Sequence, residues 1–362
     1  MQQSKRFLSL DAFRGFTIMA MLLVNNTVYD QAYPSWLRHA GWGEGVTFCD
    51  LIFPWFLFCV GVAIPFSAAA YGKKGYSIKQ YLIKSLRRSV VLVILGVLID
   101  CSISKRLIIK LDVLQLIGLS FLMAAIIYQL PETYKKIIPA LFLISYWILI
   151  RWIPFDGYPS STFLQEHNII SHINQNYLAR FHLAGFLSTF PAAALVAGAA
   201  LVGDFIRADG RSDFYKLKFM LISGAMAVVL GILWNFDLEF NKSVWTPSFI
   251  LFSGGMATIV LAAYYFLIEM QGYRKWAFPF IVFGMNAITA YFFSIIVRVH
   301  TIQEWETTLA DGTTISLRQA LFNWLIDSFG AMAGSWIYTI GYLSFWWGVM
   351  FWMYQKKIFW KI

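Results

Sequence analysis

Long apolar runs, separated by short polar or basic loops, recur along the chain. Runs of roughly 20 apolar residues can cross the hydrocarbon core of a bilayer as one α-helix. Ten segments meet this length, at residues 8–26, 47–71, 82–101, 112–130, 135–153, 184–206, 216–235, 245–269, 276–298 and 332–355. Residues 316–328 are apolar but too short to cross, which predicts a re-entrant or interfacial helix there. We therefore predict an all-α integral membrane protein with about ten transmembrane helices in a single domain, residues 1–362.

The composition agrees with a polytopic membrane protein and excludes an ordinary soluble domain. Hydrophobic residues make up 59% of the chain, charged residues make up 13%, and the mean hydropathy is +0.62. The first apolar run contains Asp11 and Arg14, and no small-residue cleavage site follows it. We therefore expect a retained helix there rather than a signal peptide.

Basic residues are distributed unevenly between the two ends of the predicted helices. An even number of crossings puts both termini on one side, and the positive-inside rule puts the more basic side in the cytoplasm. The side with the termini, which includes Lys5, Arg6 and Lys361, holds about twice as many lysines and arginines as the other. Both termini are therefore predicted to be cytoplasmic, with all five histidines on the outer side. Basic loops beside anionic lipid account for the net charge of +10, so no nucleic-acid partner is predicted.

The stretch from His39 to Ser67 joins a polar, Gly-rich loop to the start of a membrane helix. His39 can change its charge near neutral pH, and Asp50 lies at the lipid boundary, where an unpaired charge is costly. Pro54 can kink the helix that follows. The combination is typical of a membrane enzyme or transporter. A hydrogen-bonded surface histidine and a carboxylate that complements the helix dipole remain the structural alternatives.

Other polar and aromatic residues on the predicted outer side are candidates for ligand contact. Asn25 closes the first helix and could orient a carbonyl group or a nucleophile. Trp42 belongs to an interfacial aromatic belt. The loop that enters the eighth predicted helix supplies Asn241, Lys242 and Trp245.

Three further features have both a structural and a functional interpretation. Asp11 and Arg14 are three residues apart on one helix face, and we favour a structural ion pair over anion binding by Arg14. The basic loop 72–88, with Arg87 and Arg88, either sets the topology or binds a phosphorylated cytosolic ligand. Asn286 lies within a predicted helix and needs a partner, so an interhelical hydrogen bond is slightly favoured over ligand contact.

Sequence motifs for metal sites and soluble enzymes are missing from the chain. No zinc pattern is present, because His167 and His172 are spaced so that they do not share a helix face, and no metal is predicted. Cys49, Cys59 and Cys101 form no C-x-x-C pair. The pairing of Cys49 with Cys101 is left open.

Six segments, in this order, resemble the heparan-alpha-glucosaminide N-acetyltransferase family of transmembrane acyltransferases. They are SLDAFRGFTIMAMLLVNN, HAGWGEGVTFCDLIFPWFLFCVG, DVLQLIG, GFLSTFPA, NKSVWTPSF and FGMNAITAY. The H-A-x-W…D-L-I-F-P-W-F block is the specific part of the match. The compact chain is similar to a bacterial member, which implies the inner (cytoplasmic) membrane with His39 on the periplasmic side.

The resemblance implies acetyl transfer from cytosolic acetyl-CoA to an amino sugar across the membrane. It implies a catalytic role for His39, in the H-A-x-W motif, and matches Asn25 to an asparagine of the family's first helix. The phosphates of acetyl-CoA, the expected co-substrate, would lie near Arg14, Arg87 or Arg88. The chain departs from the family at Leu116, where many members have Arg, and at Lys110-Leu111-Asp112, where many have an R-I-P sequence. The donor or the acceptor could differ accordingly.

The resulting hypothesis is a membrane acyltransferase that acetylates a sugar amine or hydroxyl. His39 would act as general base or as acetyl carrier, Asp50 would fix its tautomer, and Asn25 would donate to the oxyanion. A transporter or flippase for a sugar-containing substrate is the alternative, favoured by Asn286 and the Pro54 kink. A structural scaffold is the third interpretation. The acceptor and the oligomeric state, with a homodimer among the possibilities, are left open.

Overall fold

The computed structural model describes residues 7–27, 32–309 and 312–360. Lys5, Arg6 and Lys361, which enter the prediction of orientation, lie outside these residues. The described fold is nearly all-α. Its helices are α1 (Leu8–Val24), α2 (Phe48–Lys73), α3 (Ile78–Ser104), α4 (Val113–Tyr128), α5 (Glu132–Trp152), α6 (Ile169–Ile173), α7 (Thr189–Arg207), α8 (Asp213–Asn235), α9 (Pro247–Tyr265), α10 (Phe278–Met285), α11 (Ala287–Val297), α12 (Leu317–Phe329) and α13 (Ala331–Gln355).

Shorter elements connect these helices. One-turn 3₁₀ helices occur at Ser35–Leu37, Ala179–Phe181 and Phe186–Ser188, and π-helical segments at Asn174–Leu178, Phe266–Met270 and Arg298–Gln303. Strands β1 (Glu306–Thr308) and β2 (Thr314–Ser316) form an antiparallel pair in which Thr307 faces Ile315. The loop between the fifth and sixth predicted crossings, residues 154–183, thus contains α6 and two short helical segments.

Five helical segments are long and apolar enough to cross a membrane. They are Phe48–Lys73, Glu132–Trp152, Phe186–Arg207, Asp213–Asn235 and Pro247–Met270. The pair Phe278–Met285 and Ala287–Gln303 is bent by 78° and makes a sixth if it forms one broken span. The described part of the chain therefore has five or six candidate spans by length and composition, and the ten crossings stay a prediction. Residues 316–328 are helical, as α12, and their placement in a membrane also stays a prediction.

The core of the bundle is built around α1 and α2. α1 packs against α2, α9, α10, α11 and α13, while α2 packs against α1, α4, α7 and α9. α2 runs through Pro54 and Pro65 as one helix, so neither proline ends it. By contrast, α5 and α8 leave most of their apolar length exposed. This division suits a bundle whose outer helices face lipid.

Glycines allow α1 and α10 to approach each other closely. A Cβ atom added at Gly15 would overlap the backbone carbonyl of Phe280, and one added at Gly284 would overlap the carbonyl of Asp11. Small residues at helix crossings let backbones come together where bulkier side chains would hold them apart. This contact lies in the N-terminal half of α1, whereas at the other end the Arg298 guanidinium, just after α11, donates to the Asn25 carbonyl.

Candidate active site

A cavity of about 480 Å³ opens where the C-terminal end of α1 meets the N-terminal ends of α2 and α4. Its wall also includes the loop before α2 and the loop between α8 and α9. Seven residues that the sequence predicted as site residues line it, namely Asn25, His39, Trp42, Asp50, Asn241, Lys242 and Trp245. The fold therefore brings residues from distant parts of the chain into one cavity.

Asp50 is held at the start of α2 by several hydrogen bonds. Its Oδ2 accepts from the backbone nitrogens of Thr47 and Ala40, both at 3.1 Å, and from the Thr47 hydroxyl at 3.0 Å. This arrangement is a capping box, which satisfies donors that the helix itself leaves free. Asp50 is only 3% exposed. The carboxylate thus caps the helix and still has Oδ1 available for a second partner.

That second partner is His39. Its Nδ1 lies 2.6 Å from Oδ1 of Asp50, although the imidazole itself is 58% exposed. The hydrogen bond to Asp50, followed by the contact with the Cys49 thiol, raises the pKa of His39 to about 9. With its proton on Nδ1, His39 donates to Asp50 and leaves Nε2 as the basic nitrogen. The pair therefore has the geometry of an oriented general base or nucleophile.

Lys242 adds a third titratable group to this pair. Its Nζ lies 3.1 Å from Nδ1 and 3.4 Å from Nε2 of His39, and 3.7 Å from Oδ1 of Asp50. Burial lowers the pKa of Lys242, and the nearby Asp50 opposes that effect. One carboxylate cannot fully balance an imidazolium and an ammonium ion at the same time. Protonation of His39 and of Lys242 is therefore coupled.

A hydrogen-bonded turn places Lys242 at the cavity. The Asn241 side-chain oxygen accepts from the Val244 nitrogen at 3.2 Å, and the Asn241 nitrogen donates to the Thr246 hydroxyl at 3.0 Å. Trp245 has a left-handed backbone conformation, with φ of 57°, and its ring packs edge-on against Phe53. Asn241, which the sequence suggested for ligand contact, thus uses its side-chain oxygen to shape the turn.

Four other predicted site residues do not line the cavity. Arg14 pairs with Asp11 at 2.8 Å and donates to the Gly284 carbonyl, as expected for the structural interpretation. Asn286 is buried, and its amide donates to the Ile358 carbonyl and accepts from the Trp360 nitrogen, both at 3.0 Å. The remaining two are Arg87, which is exposed, and Arg88, whose guanidinium lies 4.5 Å over the Phe121 ring.

The cavity also contains residues that the sequence did not single out for the site. Cys49 has its sulfur 3.7 Å from Nε2 of His39, and Tyr291 of α11 forms part of the wall. Leu111, Asp112 and Leu116 line the cavity too. These three lie where the chain departs from the family pattern, and that departure was the available signal. Tyr291 ends the segment FGMNAITAY, and its place in that segment was the available signal.

The structure also describes the three cysteines and the side chains that could hold a metal ion. Cys49, Cys59 and Cys101 are all free thiols, so the structure does not pair Cys49 with Cys101. Within residues 7–27, 32–309 and 312–360, no three His, Cys, Asp or Glu side chains are grouped to hold a metal ion.

Apolar helices around an Asp–His–Lys cluster define a helical membrane protein with titratable side chains grouped in a cavity at one end of its bundle. Comparison with known proteins makes the class specific. The family model "Heparan-alpha-glucosaminide N-acetyltransferase, catalytic" matches residues 6–231, more than half of the chain, and the chain belongs to this family. His39 and Asp50 lie inside the matched residues, whereas Lys242 follows them.

Two curated relatives align with almost the whole chain. It is 23% identical, over 99% of its length, to heparan-alpha-glucosaminide N-acetyltransferase of Mus musculus and to the protein of that name in Homo sapiens. The alignments cover 61% and 60% of those two proteins, so the chain spans about three-fifths of the length of the relatives it matches. Family membership supports a membrane acetyltransferase in general.

Proposed function

We propose that this protein is an integral membrane acyltransferase that moves an acetyl group from cytosolic acetyl-CoA to an amino sugar or a sugar hydroxyl on the outer side. The observation that carries the proposal is the 2.6 Å contact between His39 Nδ1 and Asp50 Oδ1, in a cavity. Both residues lie within the part of the chain that matches an acetyltransferase family.

In the direct mechanism, His39 acts as general base. Nε2 takes the proton from the acceptor nitrogen or oxygen while that atom attacks the thioester carbonyl, and the carbon–sulfur bond breaks to release CoA as a thiolate. Such proton removal accelerates a reaction by about 10²–10⁴-fold. Asp50 holds the Nδ1 proton and stabilises the imidazolium ion that forms. Asn25 at the cavity wall would donate to the oxyanion, a contribution of about 3 kcal/mol if it is preorganised.

In the two-step variant, His39 carries the acetyl group. Nε2 attacks the thioester carbon and expels the CoA thiolate, which leaves an acetyl-imidazole. The acceptor then attacks the acetyl carbon, the bond from that carbon to Nε2 breaks, and Nε2 takes the proton that the acceptor loses. Both variants require neutral His39, so Lys242 has a clear role, because its positive charge opposes protonation of the imidazole. Single-turnover experiments with labelled acetyl-CoA separate the two variants.

The proposed topology follows the positive-inside rule. Ten crossings would put both termini in the cytoplasm and His39 on the periplasmic side of a bacterial inner membrane. The CoA phosphates would lie at the cytoplasmic side, near Arg14, Arg87 or Arg88. The buried Arg88 Nε has no hydrogen-bond partner among the described residues, and an anionic group would fit it. Single-cysteine labelling from each side of sealed vesicles tests this orientation.

A transporter or flippase for a sugar-containing substrate is the second candidate. The 78° break between α10 and α11 at Asn286 favours it, because discontinuous helices often form substrate sites in transporters. This candidate predicts movement of unmodified substrate into proteoliposomes without acetyl-CoA. Transfer of the acetyl label to an acceptor would exclude a pure transporter.

The deciding experiment measures CoA release by the purified protein in detergent, with acetyl-CoA and glucosamine, for wild type and His39→Ala. We expect release by wild type and a loss of about 10²-fold or more in the variant. His167→Ala is the matched control, because that exposed histidine stacks on Tyr158 and does not line the cavity. No acetyl-CoA consumption and no acetyl-CoA binding by wild type would refute the acyltransferase. An unchanged rate in His39→Ala would refute the role of His39.

A further inference from the structure

Cys49 brings a thiol to the same imidazole that Asp50 orients. It is the second residue of α2, and its sulfur lies 3.7 Å from Nε2 of His39. The other ring nitrogen, Nδ1, lies 2.6 Å from Oδ1 of Asp50. The imidazole therefore spans two consecutive residues of α2 and contacts a different one with each nitrogen.

This order of contacts is that of a nucleophile, a base and a group that orients the base. Oδ2 of Asp50 accepts hydrogen bonds from Thr47 and from the Ala40 nitrogen, so the carboxylate is held in place. When the proton on Nδ1 faces Asp50, the lone pair of Nε2 is left for the thiol. A thiol that gives its proton to Nε2 becomes a thiolate, which is the nucleophilic form of cysteine. The three side chains thus have the parts needed to generate a sulfur nucleophile.

Cys49 belongs to the wall of the His39 cavity. It lines this space of about 480 Å³ together with His39 and Asp50, and it is only 4% exposed. An acetyl group on its sulfur would therefore be within reach of the cavity but shielded from bulk water, which hydrolyses thioesters. Cys59 and Cys101, the other two cysteines of the chain, do not line this cavity.

Lys242 is another side chain beside Nε2, at 3.4 Å. As an ammonium ion it has no lone pair and cannot attack a thioester. An acetyl group on its amine would form an amide, which is much less reactive toward an acceptor than a thioester is. A thioester on Cys49 keeps the acetyl group as activated as it is on CoA, because both are carbon–sulfur bonds. The chemistry therefore favours the cysteine sulfur over the lysine nitrogen as a temporary carrier.

We propose that Cys49 carries the acetyl group in this chain, with His39 as its base and Asp50 as the positioning residue. Nε2 takes the thiol proton, and the thiolate attacks the carbonyl carbon of acetyl-CoA. The bond from that carbon to the CoA sulfur breaks, and the released CoA thiolate takes the proton from Nε2. The acceptor then attacks the acetyl carbon and gives its proton to Nε2, which passes it to the Cys49 sulfur as the bond from that sulfur to the acetyl carbon breaks. The proposal rests on the proposed function, since it names the residue that holds the acetyl group between donor and acceptor.

The test identifies the acetylated residue directly. Purified full-length protein in detergent is mixed with radiolabelled acetyl-CoA without an acceptor, quenched in acid, digested and mapped by mass spectrometry. We expect a burst of about one CoA per chain, which is the kinetic signature of an acyl-enzyme. The acetyl group should be on Cys49, as a thioester that neutral hydroxylamine cleaves and that added glucosamine removes.

Variants of the thiol and of its base separate a chemical role from a structural one. Cys49→Ala and His39→Ala should each lose the thioester label. Cys49→Ser keeps the size of the side chain but not its acidity, so its kcat should fall by about 10²-fold or more. Cys101→Ala is the matched control, because that thiol contacts the Ile108 carbonyl and does not line the cavity. This control should keep both the label on Cys49 and the kcat of wild type.

The outcomes separate this proposal from the acyltransferase proposal. Acetylation of glucosamine by wild type with the label on His39, or with an unchanged kcat in Cys49→Ser, would overturn the carrier and retain the transferase. A parallel incubation with p-nitrophenyl acetate offers an acetyl group without CoA. Labelling of Cys49 by this ester but not by acetyl-CoA would support the nucleophile and refute acetyl-CoA as the donor. No acetylation of Cys49 by either compound would overturn the proposal.

Discussion

Lys242 and His39 are 203 residues apart in the chain, yet the Nζ of Lys242 lies 3.1 Å from Nδ1 of His39. The turn between α8 and α9 therefore completes a site that begins with the short segment from His39 to Asp50. Asp50 and Lys242 act on the imidazole in opposite directions, since one stabilises its protonated form and the other destabilises it. This opposition makes the protonation of His39 a sensitive probe of the site.

Replacement of Asp50 by Asn should lower the pKa of His39. The hydrogen bond to Asp50 is the main reason that this pKa is raised from 6.5 to about 9. The proposed reaction needs the neutral imidazole, so the ascending limb of kcat/KM against pH should move from near pH 9 toward pH 6.5. The plateau should fall by about 10²-fold or more, because the ring loses its orienting partner.

The control for this change is Glu44→Gln in the same loop. Glu44 accepts a hydrogen bond from the Gly41 nitrogen at 2.8 Å and does not line the cavity. Loss of the Glu44 charge should leave the ascending limb of kcat/KM against pH near pH 9. NMR of labelled imidazole in the detergent-solubilised protein measures the same pKa without turnover. An unchanged His39 pKa in Asp50→Asn would contradict the assigned hydrogen bond.

Replacement of Lys242 by Met should shift the pKa of His39 upward. The ammonium charge beside the ring opposes protonation, and its removal leaves the stabilising effect of Asp50 unopposed. The ascending limb should therefore move to higher pH, with a lower rate at neutral pH. Lys218 is an exposed lysine near the opposite end of α8, so Lys218→Met should leave the pH profile of kcat/KM unchanged. A downward shift in Lys242→Met would show that Lys242 does not act through its charge.

The His39–Asp50 pair should also make stability depend on pH. The pKa of His39 is raised in the folded protein, so the stabilisation is fully present below about pH 6.5 and is lost as pH rises through about 9. The difference in Tm between wild type and His39→Gln should therefore be largest near pH 6 and shrink above pH 9. Thermal unfolding in one detergent across this range measures it. A difference in Tm that grows with pH would contradict the conclusion that protonated His39 stabilises the folded protein.

The sequence predicted the features that depend on local patterns. The apolar run 47–71 corresponds to α2 at Phe48–Lys73, and the polar loop before it supplies His39 at the cavity. The ten apolar runs outnumber the five or six candidate spans for separate reasons, because α1 has only 17 residues, α3 contains several charged residues, and Trp and Tyr lower the hydropathy of α13. All three segments are nevertheless helices, as their apolar runs predicted.

Tertiary contacts determined what the sequence left open. Residues 276–298 form a largely apolar run, yet the helix is interrupted at Asn286. There the side-chain amide hydrogen-bonds to backbone groups of Ile358 and Trp360. The approach of Lys242 to His39 likewise depends on how α9 packs against α1 and α2. Neither contact leaves a signal in the local pattern, since both join segments that are far apart in the chain.

The close approach of α1 and α10 gives a stability prediction that is independent of the chemistry. In Gly284→Ala, the new Cβ atom would overlap the carbonyl of Asp11, so the two helices must move apart. Overpacking of this kind costs about 1–3 kcal/mol. The movement would also disturb the hydrogen bond from Arg14 to the Gly284 carbonyl. We therefore expect a lower Tm in detergent for this variant.

Gly198→Ala in α7 is the matched control, because a Cβ atom there meets open space. Alanine is favoured over glycine in a helix by about 1 kcal/mol, so this variant should keep or raise the Tm. The two substitutions add the same methyl group within helices of the same protein, and they differ in whether a second backbone lies against it. Equal changes in Tm in the two variants would show that α1 and α10 leave room for the added methyl group. A fall in Gly284→Ala alone would establish that contact as a stabilising part of the core.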